Sequence, residues 1–180
     1  MNISSNILQQ AIEFAVEKHK GVTRKGNGRP YILHPMSVLL TLLEIKSKTK
    51  NGNLLATVCI LHDVVEDCDV TLKEISERFG YQVAALVEEL TSDPDKIKEL
   101  GKTAYLIMKM LNMSSYALCI KLVDRLDNIK DMKEMDIEFV KKTITSTNQI
   151  LYALESGRKL TGTHRLIIDN IKFEINKYEI

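Results

Sequence analysis

Apolar residues recur along the chain at the three- and four-residue spacing of α-helices, and this spacing extends over nearly the whole length. The first such stretch runs from about Ser4 to Lys20 and predicts a helix with one buried face. The residues on that face are Ile7, Leu8, Ala11, Ile12, Ala15 and Val16. Glycine is dense only between Gly21 and Gly28, where we expect a loop. The pattern therefore predicts an all-α fold.

Capping residues and helix breakers divide this pattern into about eight or nine helices. A second helix is predicted to begin near Pro35, and a third is predicted from Asn53 to about Cys68. Thr71 and Glu74 have the spacing of a capping box, and Gly80 is typical of a helix end. The remaining helices are predicted over about 81–92, 94–113, 115–135, 136–156 and 163–178. Because no repeat or linker interrupts them, we predict one domain over residues 1–180, a single helical bundle.

Composition and charge narrow the class of protein. The 25 basic and 24 acidic side chains nearly cancel, so the chain lacks the positive field of a general nucleic-acid-binding protein. No apolar run is long enough to span a bilayer, and no membrane partner is expected. The N-terminus lacks a secretory pattern, and three widely spaced cysteines suit a reducing compartment. We therefore predict a cytoplasmic protein, and the sequence makes no prediction of its oligomeric state.

Ionisable residues interrupt the most apolar of the predicted helices. His62, Asp63, Glu66 and Asp67 lie on the helix predicted over 53–68, which is otherwise apolar on nearly all sides. Charged groups are costly on a buried helix unless they bind one another, a metal ion or a substrate. Helical spacing places His62 one turn before Glu66, and Asp63 one turn before Asp67. A neutral imidazole with a carboxylate suits a divalent ion, and the second pair of carboxylates suits the handling of a water molecule.

Two further residues are candidates to complete a metal site. His34 precedes Pro35 at the start of the second predicted helix, and Asp124 lies in another apolar segment that charges interrupt. Together with His62 and Asp63 they offer two imidazoles and two carboxylates, which favour Mn, Fe, Co or Zn over Mg or Ca. Such a set leaves positions for water and a phosphate oxygen. The alternative is a purely structural network of buried Asp, His and Arg side chains.

Several blocks of sequence resemble one known family. His34, the His62–Asp63 doublet and Asp124 resemble the ligand signature of HD phosphohydrolases. Longer blocks across roughly residues 5 to 135 resemble the hydrolase domain of RelA/SpoT alarmone enzymes. These blocks are Thr23-Arg24-Lys25, Pro30-Tyr31-Ile32-Leu33-His34-Pro35, Leu61-His62-Asp63-Val64-Val65-Glu66-Asp67, Phe79-Gly80 and Lys121-Leu122-Val123-Asp124-Arg125-Leu126-Asp127-Asn128.

The resemblance implies a role for each matching residue. It implies that His34, His62, Asp63 and Asp124 bind the metal, normally Mn²⁺ in this family, with another divalent transition metal as the alternative. It implies that the acids position and deprotonate the attacking water, and that the others bind the nucleotide. The acids are Glu66 and Asp67, and the nucleotide-binding residues are Arg24, Lys25, Tyr31 and Asn128.

The implied reaction is hydrolysis of the 3′-pyrophosphate of ppGpp or pppGpp, the signals of the stringent response. Pyrophosphate and GDP or GTP would be the products. The chain resembles small alarmone hydrolases of the metazoan SpoT-homologue type, and no synthetase activity is expected. Two alternatives stay open. One is an HD phosphohydrolase that acts on a nucleoside monophosphate or NADPH, and the other is a nucleotide-binding regulatory protein with vestigial hydrolysis.

The two remaining histidines are predicted to have no part in this chemistry. His19 and His164 lie on polar stretches, which predicts that both are exposed at the surface.

Overall fold

The structure is a computed structural model that describes residues 3–26, 28–46 and 51–178, with side chains described from Ile7 onward. All regular elements in this part of the chain are helices, so the predicted all-α class is confirmed. The contact between Thr23 and Pro30 is an isolated antiparallel bridge rather than a strand. None of the described helices is both long and apolar enough to cross a bilayer. The described residues cluster into two compact units, divided after Thr91.

The first unit is built around one buried helix. Its helices are α1 (Ile3–Lys18), α2 (Leu33–Ile45), α3 (Gly52–Leu61), α4 (Val64–Asp67), α5 (Leu72–Phe79) and α6 (Tyr81–Leu90). Every residue of α3 from Leu55 to Leu61 is buried, because α1, α2 and α6 all pack against it. The near-complete apolar character of this segment predicted that central place.

The second unit is built from two helix pairs. Its elements are α7 (Pro94–Leu100), α8 (Lys102–Asn112), α9 (Ser115–Lys130), a 3₁₀-helix (Asp131–Glu134), α10 (Ile137–Gly157) and α11 (Gly162–Ile175). Helix α9 packs against α11, and α8 packs against α10. Gly157 permits the second pairing, since a Cβ there would lie 2.8 Å from a methyl carbon of Leu111.

Helix boundaries follow the capping residues closely. The Thr71 side chain accepts a hydrogen bond from the Glu74 N–H, and α5 ends at Phe79 with Gly80 as its C-cap, in agreement with the predicted end. Ser114 caps α9 by accepting from the Ala117 N–H. The helix predicted from Pro94 to Met113 is instead divided into α7 and α8, because Gly101 adopts a φ of 79° that only glycine enters readily.

The buried face of α1 differs in part from the predicted one. Ala11 and Ala15 are buried as expected, but Phe14 is buried as well, whereas Val16 is 47% exposed. Phe14 packs edge-on against Phe79 of α5, with ring centroids 5.4 Å apart. Because Phe14 packs against Phe79, the buried face of α1 includes Phe14 and leaves Val16 at its edge.

Candidate metal centre

His62 and Asp63 lie at a break between two helices. The single helix predicted over 53–68 is wrong at this point, because α3 ends at Leu61 and α4 begins at Val64. The turn between them stays close to helical, and the Asp63 carbonyl accepts the backbone N–H of Asp67 at 2.8 Å. Asp67 therefore lies one turn beyond Asp63, as the sequence spacing predicted.

His34 reaches the same place from the first turn of α2. Its side chain is buried, and α2 packs along α3. The His34 Nε2 atom lies 3.5 Å from Asp63 Oδ2, and the rings of His34 and His62 have centroids 5.3 Å apart. One candidate ligand atom of each histidine lies within 4.8 Å of the other. The first unit thus brings together three of the four predicted metal ligands.

Hydrogen bonding fixes which nitrogen of His62 faces the carboxylate. His62 Nδ1 lies 2.8 Å from the carbonyl oxygen of Cys59, and a carbonyl only accepts, so Nδ1 carries a hydrogen and donates to it. The other nitrogen, Nε2, faces Asp63 Oδ2 at 3.0 Å. A proton on Nε2 or a metal ion bound by both atoms makes this contact favourable. Ligating histidines commonly donate their second N–H to a backbone carbonyl in this way.

These donors fit a divalent transition metal ion. Two imidazole nitrogens and one carboxylate oxygen form a mixed nitrogen and oxygen set, which suits Mn, Fe, Co or Zn. His34 and His62 are 3% and 1% exposed, so both imidazoles are shielded from solvent. A bound metal ion would take the place of a proton between His62 Nε2 and Asp63 Oδ2.

Tyr31 contributes a hydrogen bond that its sequence position did not predict. Its hydroxyl donates to Asp63 Oδ2 at 2.7 Å. Burial and the negative charge of Asp63 raise the pKa of the Tyr31 hydroxyl far above its ordinary value. The phenol therefore stays protonated and serves as a donor to the carboxylate. The predicted contact with a guanine base stays a prediction, and it would have to use the ring.

Arg24 and Lys25 lie on the glycine-rich loop that precedes α2. The loop is closed by two backbone bonds, from Arg24 N–H to the Arg29 carbonyl at 2.8 Å and from Tyr31 N–H to the Val22 carbonyl at 2.9 Å. The Arg24 guanidinium lies 5.8 Å from the centre of the Tyr31 ring. Lys25 is exposed. The fold therefore places Arg24 beside Tyr31, and the roles of Arg24 and Lys25 toward a nucleotide remain predictions.

The two predicted catalytic acids lie on α4 and are exposed. Burial of part of the Asp67 carboxyl raises its pKa, and the charges of Asp63 and Glu66 add to that shift, whereas a hydrogen bond from the Tyr31 hydroxyl and the nearby His19 oppose it. A carboxylate with a raised pKa accepts a proton more readily than an ordinary aspartate does. The position of Asp67 one turn beyond Asp63 is compatible with the predicted task.

Asp124 and Asn128 belong to the second unit, where both lie on α9. Asp124 is buried, its Oδ1 accepts a short hydrogen bond from Asn128 Nδ2, and its Oδ2 lies 3.0 Å from Lys121 Nζ. Arg125 donates to the Thr147 hydroxyl at 3.0 Å, and burial lowers the pKa of its guanidinium against the opposing charge of Asp124. The assignment of Asp124 as a metal ligand and of Asn128 as a nucleotide contact stays a prediction.

The prediction that His19 and His164 are exposed is wrong. They are 3% and 1% exposed, respectively. His19 stacks on Tyr31, with ring centroids 4.9 Å apart and an interplanar angle of 11°. The sequence did contain a signal for this burial, since His19 follows Ala11 and Ala15 at intervals of four residues on the same helix face.

The sequence is similar to those of several known proteins. The model of the HD domain family matches residues 11–159. The chain is 38% identical over 166 residues to the guanosine-3′,5′-bis(diphosphate) 3′-pyrophosphohydrolase MESH1 of Homo sapiens, an alignment that covers 92% of this chain and 90% of that protein. It is 36% identical over 174 residues to the enzyme of the same name, without the MESH1 suffix, from Aquifex aeolicus.

The extent of these alignments differs between relatives. The chain spans 23% of the length of the Aquifex aeolicus protein and 23% of a Vibrio cholerae relative that is 30% identical. Among solved structures, it is similar to one described as a metazoan ortholog of SpoT that hydrolyses ppGpp and plays a role in starvation responses. That match has a TM-score of 0.77, an identity of 25% and coverage of 93% of this chain and 94% of that one.

Proposed function

Because the chain belongs to the HD domain family, among its RelA/SpoT-type hydrolase domains, we propose that it hydrolyses the 3′-pyrophosphate of ppGpp and pppGpp. The observation that carries this proposal is the cluster of two buried imidazoles around one carboxylate oxygen, with His62 Nε2 and His34 Nε2 at 3.0 and 3.5 Å from Asp63 Oδ2. Such a cluster suits a divalent metal ion, and it occurs in a chain 38% identical to an alarmone hydrolase over most of both lengths.

The proposed metal site uses His34, His62, Asp63 and Asp124, with Mn²⁺ as the resident ion. Asp124 is included because it lies in a sequence block that resembles this family. The family model spans both compact units. We therefore propose that residues 1–180 act as one HD domain. Asn128, which donates to Asp124, would orient that ligand and leave its amide oxygen for the nucleotide. A bound divalent ion would polarise the attacking water and neutralise charge on the phosphate oxygens.

The side chains of the loop and of α4 would perform the remaining steps. Arg24 and Lys25 would bind phosphate oxygens or the guanine face, for which a planar guanidinium is well suited. Glu66 and Asp67 would accept the proton of the water as its oxygen bonds to the phosphorus next to the 3′ oxygen. The bond from that phosphorus to the 3′ oxygen breaks, the leaving oxygen takes up a proton, and pyrophosphate and GDP or GTP are released.

The small-molecule substrate suits the chemistry of the chain as a whole. With 25 basic and 24 acidic residues, the protein offers no general attraction for nucleic acid, and we propose none as a partner. None of the three cysteines forms a disulfide within the described part of the chain, which is typical of the reducing cytoplasm where we place the protein.

Incubation of the purified protein with ppGpp and Mn²⁺, with and without a chelator, tests the proposal. We expect GDP and pyrophosphate as products, and we expect the chelator to abolish them. Nucleoside monophosphates and NADPH, tested in parallel, address the alternative substrates. Phosphate release from one of those and not from ppGpp would assign the protein to another HD activity. A fully metallated protein that turns over none of them would instead favour a regulatory, nucleotide-binding role.

A further inference from the structure

His19 is a buried histidine that the proposed chemistry does not use. It follows α1 directly, and its side chain is 3% exposed. Its Nδ1 lies 3.0 Å from the carbonyl oxygen of Ala15, so Nδ1 carries the ring hydrogen. Within the described part of the chain, His19 Nε2 makes no hydrogen bond. The His19 ring stacks on the face of the Tyr31 ring.

A series of three contacts leads from His19 to the metal centre. The His19 ring lies parallel to the Tyr31 ring, at 11° and 4.9 Å between centroids. The Tyr31 hydroxyl donates to Asp63 Oδ2 at 2.7 Å. That same oxygen lies 3.0 Å from His62 Nε2. The stack on His19 therefore restricts the ring whose hydroxyl orients a proposed metal ligand.

Two other side chains lie against the Tyr31 ring. The Arg24 guanidinium lies 5.8 Å from the ring centre, and Arg24 belongs to an exposed loop. The His34 ring meets Tyr31 edge-on at 5.8 Å and 74°. Of these three contacts, the stack on His19 has the shortest distance, and the His19 ring, unlike the His34 ring, lies parallel to the Tyr31 ring. This stack also comes from a residue that a backbone hydrogen bond holds in place.

We propose that His19 is a positioning residue for the metal centre, which acts by holding the Tyr31 hydroxyl on Asp63. The inference rests on the proposed metal-dependent function. Residues that orient metal ligands from the second layer commonly change metal affinity by about 10- to 100-fold when they are replaced. A histidine that served only the packing of α1 would change stability and leave metal affinity unaltered.

Two replacements of His19 separate its ring from its hydrogen bond. His19→Asn keeps an N–H donor for the Ala15 carbonyl and removes the flat ring. His19→Phe keeps a flat ring and removes the ring nitrogens. It leaves no orphaned carbonyl, because Ala15 also accepts the backbone N–H of His19 at 3.0 Å. If stacking is what matters, Asn is damaging and Phe restores function. Should His19→Asn not fold, His19→Leu removes the flat ring at a more apolar position.

The readout is the binding of Mn²⁺ alone, measured by calorimetric titration of each folded variant without nucleotide. We expect His19→Asn to weaken Mn²⁺ binding about tenfold, Tyr31→Phe about 10- to 100-fold, and His19→Phe to bind close to the wild type. The double variant His19→Asn with Tyr31→Phe should bind no more weakly than Tyr31→Phe alone, because His19 acts through the hydroxyl. His164→Asn, at a buried histidine of the second unit, should leave Mn²⁺ affinity unchanged.

Two results would overturn the inference. The first is a folded His19→Asn protein, or His19→Leu in its place, that binds Mn²⁺ like the wild type. The second is a double variant whose loss equals the product of the two single losses, which would mean that His19 acts independently of Tyr31. Because the titration contains no nucleotide, wild-type protein that binds Mn²⁺ but fails to hydrolyse ppGpp would refute the proposed function and leave this test valid.

Discussion

Two buried histidines, one in each compact unit, differ in what their second ring nitrogen meets. His62 of the first unit uses one nitrogen on a backbone carbonyl and turns the other toward the carboxylate of Asp63, at 3.0 Å. In His164 of the second unit, Nδ1 accepts from a backbone N–H and Nε2 donates to a backbone carbonyl. Burial is therefore a poor guide to chemistry by itself. The informative observation is an imidazole nitrogen that faces a carboxylate rather than a backbone group.

The surroundings of His164 explain why it is structural. The Thr161 N–H donates to His164 Nδ1 at 3.3 Å, and His164 Nε2 lies 2.9 Å from the Ser115 carbonyl oxygen. The Thr161 hydroxyl in turn accepts from the His164 N–H, which completes a capping box at the start of α11. The ring therefore links the beginnings of α11 and α9, and its bonds are complementary without any cation.

The same substitution at both histidines is the strongest test of this difference. His62→Asn keeps a donor for the Cys59 carbonyl and removes Nε2, so we expect Mn²⁺ affinity and ppGpp hydrolysis to fall by more than about a hundredfold, beyond the cost of losing a second-layer partner. His164→Asn keeps an acceptor for the Thr161 N–H and loses the bond to Ser115. Its free energy of unfolding should fall by about 1–3 kcal/mol, with unchanged Mn²⁺ affinity.

Calorimetric Mn²⁺ titration and denaturant unfolding of both variants provide these measurements. The proposed difference between the two histidines would be wrong if a folded His164→Asn protein no longer bound Mn²⁺, or if His62→Asn still bound it.

The next largest effect separates metal binding from proton transfer within the first unit. Asp67→Asn, alone or with Glu66→Gln, should lower kcat about 10²- to 10⁴-fold and leave Mn²⁺ affinity near that of the wild type. Because the pKa of Asp67 is raised above 3.8, the wild-type rate should begin to fall at a higher pH than for an ordinary aspartate. Rates across an acid pH series provide the measurement, and an unchanged kcat in the double variant would remove these acids from the mechanism.

Much of the fold could be predicted because the signals are local. The capping residues Thr71 and Ser114 and the helix end at Gly80 depend only on backbone groups a few residues away. The break at Gly101 is local as well, but a glycine inside a periodic stretch is compatible with either a continuous or a divided helix. The apolar character of 54–61 likewise predicted the central helix on which His62 and Asp63 depend.

The predictions for the two histidines that failed, and several contacts that were not predicted, depend on packing between segments. His19 and His164 have polar neighbours in sequence, and packing against other elements buries them, although the spacing of His19 after Ala11 and Ala15 was a local signal. The bond from Tyr31 to Asp63 joins residues 32 positions apart and depends on how α2 packs on α3. Lys121, which pairs with Asp124 at 3.0 Å, has the spacing of an ordinary helix-surface pair, and only its burial distinguishes it.

A smaller effect is expected where a cation of the second unit completes a helix end. Arg158 Nη1 donates to the carbonyl oxygens of Met110 and Leu111, at 2.6 and 3.3 Å, which are among the last carbonyls of α8. Arg158→Met should lower the free energy of unfolding by about 1.5–3 kcal/mol, the range for bonds to a charged group. Mn²⁺ affinity should not change.

Lys159→Met is the matched control, because this neighbour is exposed and its loss should alter stability little. Denaturant unfolding of both variants provides the measurement. Equal stabilities of the two variants would show that the bonds to α8 contribute nothing.

The smallest effect concerns an exposed aspartate whose pKa moves in the direction opposite to that of Asp67. Backbone N–H groups of Lys96 and Asp95 donate to Asp93 at the start of α7, and these bonds lower the pKa of its carboxyl. A lowered pKa means that the ionised form stabilises the fold at pH values above 3.8, and that this contribution is lost as the pH falls through the lowered value.

Asp93→Ala should therefore lower the thermal midpoint by a few degrees at most near neutral pH, and the difference from the wild type should shrink in acid. Asp93→Asn, which still caps the helix but does not titrate there, should show less of this pH dependence. A difference that stayed constant into acid would mean that the charge of Asp93 has no part in the cap.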